Sequence, residues 1–156
     1  MRVAVSGEAP CDLAPVRAAM RRAARPYRLP PGASVHLAFL SDPDMRALNL
    51  RFRKIDRTTD VLSFGEALPP GVKGEAAVRF LRDRPAGTVE LGEIAISAGQ
   101  AARQARRGGR SLSAEVAFLA AHGVLHLLGF EDETPAGYRE MRRLGHDAAG
   151  QKGVKR

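Results

Sequence analysis

The sequence predicts an α+β fold: a single mixed β-sheet covered by helices, with a metal site on a helix of the C-terminal half. Three observations carry that prediction. Short runs of strand-like alternation are interleaved with helical periodicity through the first two thirds of the chain. Helical periodicity alone fills the remainder, which is the order expected when helices cover a sheet. The most apolar helical segment also carries two histidines four residues apart, a polar expense that a purely structural helix does not need.

Residues 1–6 (MRVAVS) alternate and read as a first strand. Asp12 can cap a helix running to about Arg25, with Leu13, Val16, Met20 and Ala23 or Ala24 turned inward. Pro26, Pro30 and Pro31 stop it. Residues 34–40 (SVHLAFL) make a second strand. Ser41 and Asp44 then form an acidic capping box, with Pro43 in the first turn, for a helix to about Arg53 that buries Met45, Leu48 and Phe52. A strand follows at 60–64 (DVLSF). The stretch 65–87, rich in proline and glycine, reads as a long loop or small excursion. Residues 88–96 (TVELGEIAI) form another strand, partly apolar on both faces. Ser97 caps a helix to about Arg107, and RRGGR (106–110) is a basic turn. Ser113 caps the apolar helix, about 114–128, which Gly129 ends. A last helix spans about 135–145. The order is β-α-β-α-β-β-α-α-α in one domain, 1–146, with 147–156 as a flexible tail.

A chain of 156 residues with 44% apolar content can bury a core without staples. Its one cysteine, Cys11, excludes an internal disulfide and a cysteine-based zinc knuckle, and points to a reducing compartment. The N-terminus lacks the apolar core of a signal peptide and no run is long enough to span a bilayer, so a cytoplasmic protein with no membrane partner is expected. The formal charge of +8 favours an anionic partner, nucleic acid ahead of a membrane surface. Arginine-rich, alanine-rich composition also follows from a GC-rich genome, so charge alone does not decide. With six Phe, two Tyr and no Trp there is no obvious platform for stacking bases, and an RNA would be gripped through its phosphates.

Of four histidines, His122 and His126 lie in HGVLHLLGFED (122–132). Spacing of i, i+4 stacks both imidazoles on one helical face within reach of one divalent ion, zinc above others. Gly129 can reverse the chain and let Asp132 swing back as a third ligand. Glu131, Glu133 and His146 are rival ligands, and Asp132 or Thr134 can instead cap the next helix. The spacing is that of metzincin-type peptidases, but the glutamate that follows their first histidine is Gly123 here. Without that general base a peptidase is disfavoured.

Three blocks carry a more specific resemblance. LNLRFRKIDRTTDVLSF (48–64), LGEIAIS (91–97) and HGVLHLLGFED (122–132) resemble, in order and spacing, the signature blocks of the YbeY family of bacterial endoribonucleases and rRNA maturation factors. The resemblance implies metal-dependent cleavage of single-stranded RNA in rRNA maturation, at the 3′ end of 16S rRNA, and in ribosome quality control. It also implies as partners the precursor of the small ribosomal subunit, a small-subunit ribosomal protein and an assembly GTPase. By the same resemblance Arg53 matches the arginine that the family needs near the metal cleft, where a guanidinium can grip a scissile phosphate. Thr59 and Ser63 match family positions. Lys54, Arg57, Ser63 and the RRGGR turn could extend an RNA-binding groove. The chain departs from the family at Asp132, where a third histidine is usual, and at Glu131, where Asp is usual. Aspartate is a competent zinc ligand, but it lowers the net charge of the site by one and makes a weaker Lewis acid. Two readings from other classes stand beside this one: a non-catalytic ribosome-assembly or RNA-binding protein with a degenerate metal site, and a metallohydrolase of another substrate, peptides included.

Overall fold

Alternation along the strands decides the layers. In the computed structural model, which describes residues 1–84 and 88–151, the chain runs β1 (Arg2–Ser6), α1 (Ala14–Ala24), a 3-10 turn (Arg25–Tyr27), β2 (Ser34–Leu40), α2 (Asp42–Arg53), β3 (Val61–Phe64), α3 (Glu75–Arg82), β4 (Glu90–Ser97), α4 (Ala98–Arg107), α5 (Leu112–Leu127) and α6 (Pro135–Ala148). Among these residues the strands form one mixed sheet in the order β1-β2-β4-β3, with β3 antiparallel to β4 at the edge and the other pairs parallel. Odd positions of β2 (Val35, Leu37, Phe39) and even positions of β4 (Ile94, Ile96) turn to the face packed by α1 and α5, the larger core. Ala95 of β4 and Leu62 of β3 turn to the other face, where Met45 of α2 closes a smaller core. The α+β expectation is therefore met, with helices on both faces.

α5 is buried almost throughout, because it lies between the sheet, α1 and α6. Leu125 and Leu128 are fully buried, so truncating either to Ala should destabilise the fold by about 2–5 kcal/mol. No helix among the described residues is long and apolar enough to cross a membrane.

Four local expectations need correction. The excursion at 65–87 contains α3, whose Ala77, Val78 and Leu81 sit at helical spacing and are buried. Phe52 is 54% exposed rather than buried, because the last turn of α2 lies beside the end of β3, where its ring meets Phe64 at 4.8 Å. The cap of α5 is Ser111, not Ser113, since the Arg110 amide closes back on Ala105 and the chain enters the helix immediately afterwards. α6 runs on to Ala148, so the first two residues of the expected tail are helical, and residues 152–156 lie outside those described. Ser41 and Ser97 cap α2 and α4 as predicted, each accepting from an amide three residues on. Asp12 accepts from the Ala14 amide one position before the helix proper.

Candidate metal centre

One point on the sheet sets the position of α5. Ser63 of β3 and Ile94 of β4 are ladder partners, and Gly123 sits over both. The Ser63 hydroxyl donates to the Gly123 carbonyl at 3.4 Å, and a Cβ at 123 would come within 2.7 Å of the Ile94 side chain. The glycine that replaces the peptidase glutamate is thus required by close packing. Its missing side chain would have pointed into the core, so no general base fits at 123.

His122 and His126 lie to one side of Gly123 on the helix and line the adjoining cleft. The Nε2 atoms of His122 and His126 approach to 3.0 Å, and Asp132 Oδ2 lies 3.4 Å from each. Ligand atoms around a tetrahedral zinc at about 2.0–2.1 Å are separated by roughly 3.3 Å, so this triangle approximates one face of such a site. Two imidazole nitrogens and a carboxylate oxygen this close need a proton or a cation among them. Among the described residues these three side chains form a group that could hold a metal ion.

Their convergence follows from how α5 ends. The Gly129 amide donates to His126 O and the Phe130 amide to Leu125 O, the two bonds of a Schellman motif, with Gly129 at φ +87°. Glycine is needed twice over, because a Cβ there would also lie 2.2 Å from the Val72 carbonyl oxygen. The turn buries Phe130, which packs on Tyr27 with centroids 5.4 Å apart. It also brings the Phe130 carbonyl within 3.1 Å of His126 Nδ1. A carbonyl can only accept, so Nδ1 carries a proton, and in the neutral imidazole that leaves Nε2, beside Asp132, as the nitrogen able to bind a cation.

The rival ligands have other work. Glu131 accepts from the Glu133 and Thr134 amides and from the Thr134 hydroxyl. Chiefly those Thr134 bonds hold its carboxyl below the usual range. Thr134 itself caps α6 by accepting from the Gly137 amide. Asp132 is left out of this capping network. His146 is buried and stacks on Phe118 at 4.5 Å. Glu133 lines the neighbouring cleft but is outside the triad.

That cleft, about 510 Å³, runs between the end of α5 and the edge strand β3. Arg53 and Ser63, together with Thr59, line it beside all three residues of the triad. Arg53 ends α2, where Lys54 adopts the left-handed conformation at φ +61° and the buried Asn49 side chain donates to Arg57 O at 2.8 Å, folding the connection back towards β3. Asn49 carries no signal of this role in the sequence beyond its place in the first signature block. Lys54 and Arg57 are not brought to the cleft: Lys54 Nζ donates to Arg51 O, and Arg57 borders a separate groove along α2. In the RRGGR turn, Arg110 is drawn inward to pair with the fully buried Glu115 at 2.9 Å, so it is no part of an exposed basic groove. Asp60, Glu66 and Glu133 also line the cleft and give it a mixed charge that composition concealed.

Comparison with known proteins agrees with the fold and with these blocks. Residues 13–151 match the family model described as Endoribonuclease YbeY. An Endoribonuclease YbeY of Limosilactobacillus reuteri is 36% identical over 83% of this chain and 80% of its own length. One from Heliobacterium modesticaldum is 39% identical over 78% of this chain and 71% of its own, and one from Moorella thermoacetica 44% over 70% and 66%. The solution structure of TM1509 from Thermotoga maritima superposes with a TM-score of 0.58 at 21% identity, covering 99% of both chains, and so shares the fold. With a family match across nearly the whole chain and the three signature blocks meeting at Gly123 and the triad, the chain belongs to the YbeY family.

Proposed function

We propose that this protein is a zinc-dependent endoribonuclease of single-stranded RNA that acts in rRNA maturation and ribosome quality control. The observation that carries the reading is the meeting of His122, His126 and Asp132 on the wall of a cleft that also holds Arg53. The matching relatives, named as endoribonucleases, supply the reaction class.

Two imidazoles and one carboxylate suit zinc, and the Phe130 carbonyl already sets the His126 tautomer for it. When bound, the ion supplies Lewis-acid activation of water and of a phosphoryl oxygen. Arg53 donates to the scissile phosphate and neutralises charge as it develops on the phosphoryl oxygens. Ser63 holds β3 against α5 and so keeps the two walls of the cleft in register. The precursor of the small ribosomal subunit is the substrate, with a small-subunit ribosomal protein and an assembly GTPase as partners, which places the work in the cytoplasm.

The test is cleavage of single-stranded RNA by protein purified without a histidine tag, stripped of metal and reloaded with zinc. Cleavage should depend on zinc, and Arg53→Ala should lower it about 10²–10³-fold while RNA affinity and melting temperature change far less. Affinity should fall steeply with salt, because phosphates supply most of the grip. Equal losses of rate and affinity in Arg53→Ala would reduce Arg53 to a tether. Fully zinc-loaded protein that leaves RNA intact and hydrolyses peptides would overturn the reading.

A further inference from the structure

A second pocket, about 280 Å³, adjoins the cleft and shares His122 and Asp132 with it. Its apolar lining comes from Val61, Phe118 and Leu119, and its polar lining includes Asp60. Tyr138 and Arg142 of α6 complete it. Tyr138 is 48% exposed, one of few large apolar side chains left so open among the described residues, and the Arg142 guanidinium sits over its ring at 5.6 Å. The two are one helical turn apart, so the cation–π contact holds the ring in place before any ligand arrives.

An apolar floor and an aromatic face braced by a guanidinium suit the flat π-system of a nucleobase. We infer that this pocket is a nucleobase subsite, in which a base flanking the scissile phosphate stacks on Tyr138. The inference rests on the RNA reading above: a strand whose phosphate lies at the triad passes the mouth of this pocket, because His122 and Asp132 border both spaces. Composition offered no aromatic cluster, but one ring suffices for one base, and stacking tolerates any base because each has a π-face.

The experiment uses full-length, zinc-loaded protein and single-stranded RNA oligonucleotides. Cleavage of the unmodified oligonucleotide locates the cut. Oligonucleotides with an abasic nucleotide at each successive position are then compared. Tyr138→Ala should raise KM roughly tenfold and Tyr138→Phe should leave it nearly unchanged. Tyr138→Leu, apolar but without a π-face, should behave like the Ala variant, and zinc content should not change in any of them. One abasic position flanking the cut should reproduce the loss in the parent protein and add nothing in Tyr138→Ala. An unchanged KM in Tyr138→Ala, or a Tyr138→Leu variant as good as the parent, overturns the subsite while the RNA reading stands. Parent protein that neither binds nor cuts RNA removes both, and the first arm reveals it.

Discussion

α5 carries a polar cluster at each end, and the two are built on opposite principles. At the N-terminal end, Glu115 is completely buried and Arg110 reaches it with two nitrogens, at 2.9 and 3.0 Å. Opposite charges meet there and neutralise one another. At the C-terminal end, two imidazole nitrogens and a carboxylate oxygen converge within 3.4 Å, and all three can offer a lone pair to a cation. The first cluster closes on itself, whereas the second is shaped for something placed between its members. Polar burial alone therefore does not mark a site. A convergence of like donors does.

The largest effects should come from the histidines. His122→Ala or His126→Ala should abolish stoichiometric zinc, read by elemental analysis, and lower RNA cleavage by more than the roughly 10–100-fold that follows loss of a supporting partner. Stoichiometric zinc in both variants would erase the contrast between the two ends of the helix. Glu115→Ala should do the reverse, lowering stability by about 3–5 kcal/mol in denaturant titrations with zinc content intact, because it strands the Arg110 charge in a largely buried position. Arg110→Met combined with Glu115→Leu should regain most of that loss. A double variant as unstable as Glu115→Ala would show that the pair does more than neutralise itself.

A finer division lies within the turn after α5. Asp132→Ala should weaken zinc binding and leave the metal-free melting temperature nearly unchanged, and Asp132→His should keep or raise zinc affinity. Thr134→Ala should lose about 1 kcal/mol of stability through its cap and bind zinc as before. Exchange of these two outcomes would make Asp132 the cap and send the third ligand elsewhere.

The smallest effect belongs to a pair that is part of neither cluster. Asp42, at the start of α2, accepts from Arg103 and from the Ser97 hydroxyl, and these bonds hold its carboxyl below the ordinary range. A depressed carboxylate stabilises the fold above its unfolded pKa and loses that contribution as pH falls through the folded value. Arg103→Ala should thus cost little near neutral pH, because the pair is solvent-screened, and less still once Asp42 is protonated. Melting curves across the acid range would show the difference between variant and parent shrinking as pH falls.

Legibility from sequence followed how local each determinant is. The capping serines at 41 and 97 and the turn at Gly129 are set within a few residues, and they were readable. α3 was hidden because its helical spacing is short and lies among prolines and glycines that signal loop. Phe52 departs from the α2 pattern because that pattern says nothing of where the sheet ends. At the candidate site, the i, i+4 histidines announced their convergence. The allotment of the EDET stretch, with Thr134 and Glu131 organising the helix start and Asp132 turned to the histidines, depends on a chain reversal that spacing alone leaves open. Arg53 came from resemblance to a family and not from any local rule. Tyr138 has no motif at all, since an exposed tyrosine on an amphipathic helix matters only for what the fold sets beside it.

All three members of the triad lie within residues 122–132, one helical turn and a Schellman reversal, whereas Arg53 reaches the cleft only when α2 and β3 have docked. In loop-closure terms the triad is cheap to assemble and the complete cleft is not, because short closures forfeit less chain entropy. A metal ion can then engage the 122–132 segment in a chain that is still partly unfolded. Any such affinity for the unfolded state subtracts from the stability that metal confers on the native one. Metal loading and completion of the cleft become separate events, so a protein that has taken up its ion is not for that reason ready to cut.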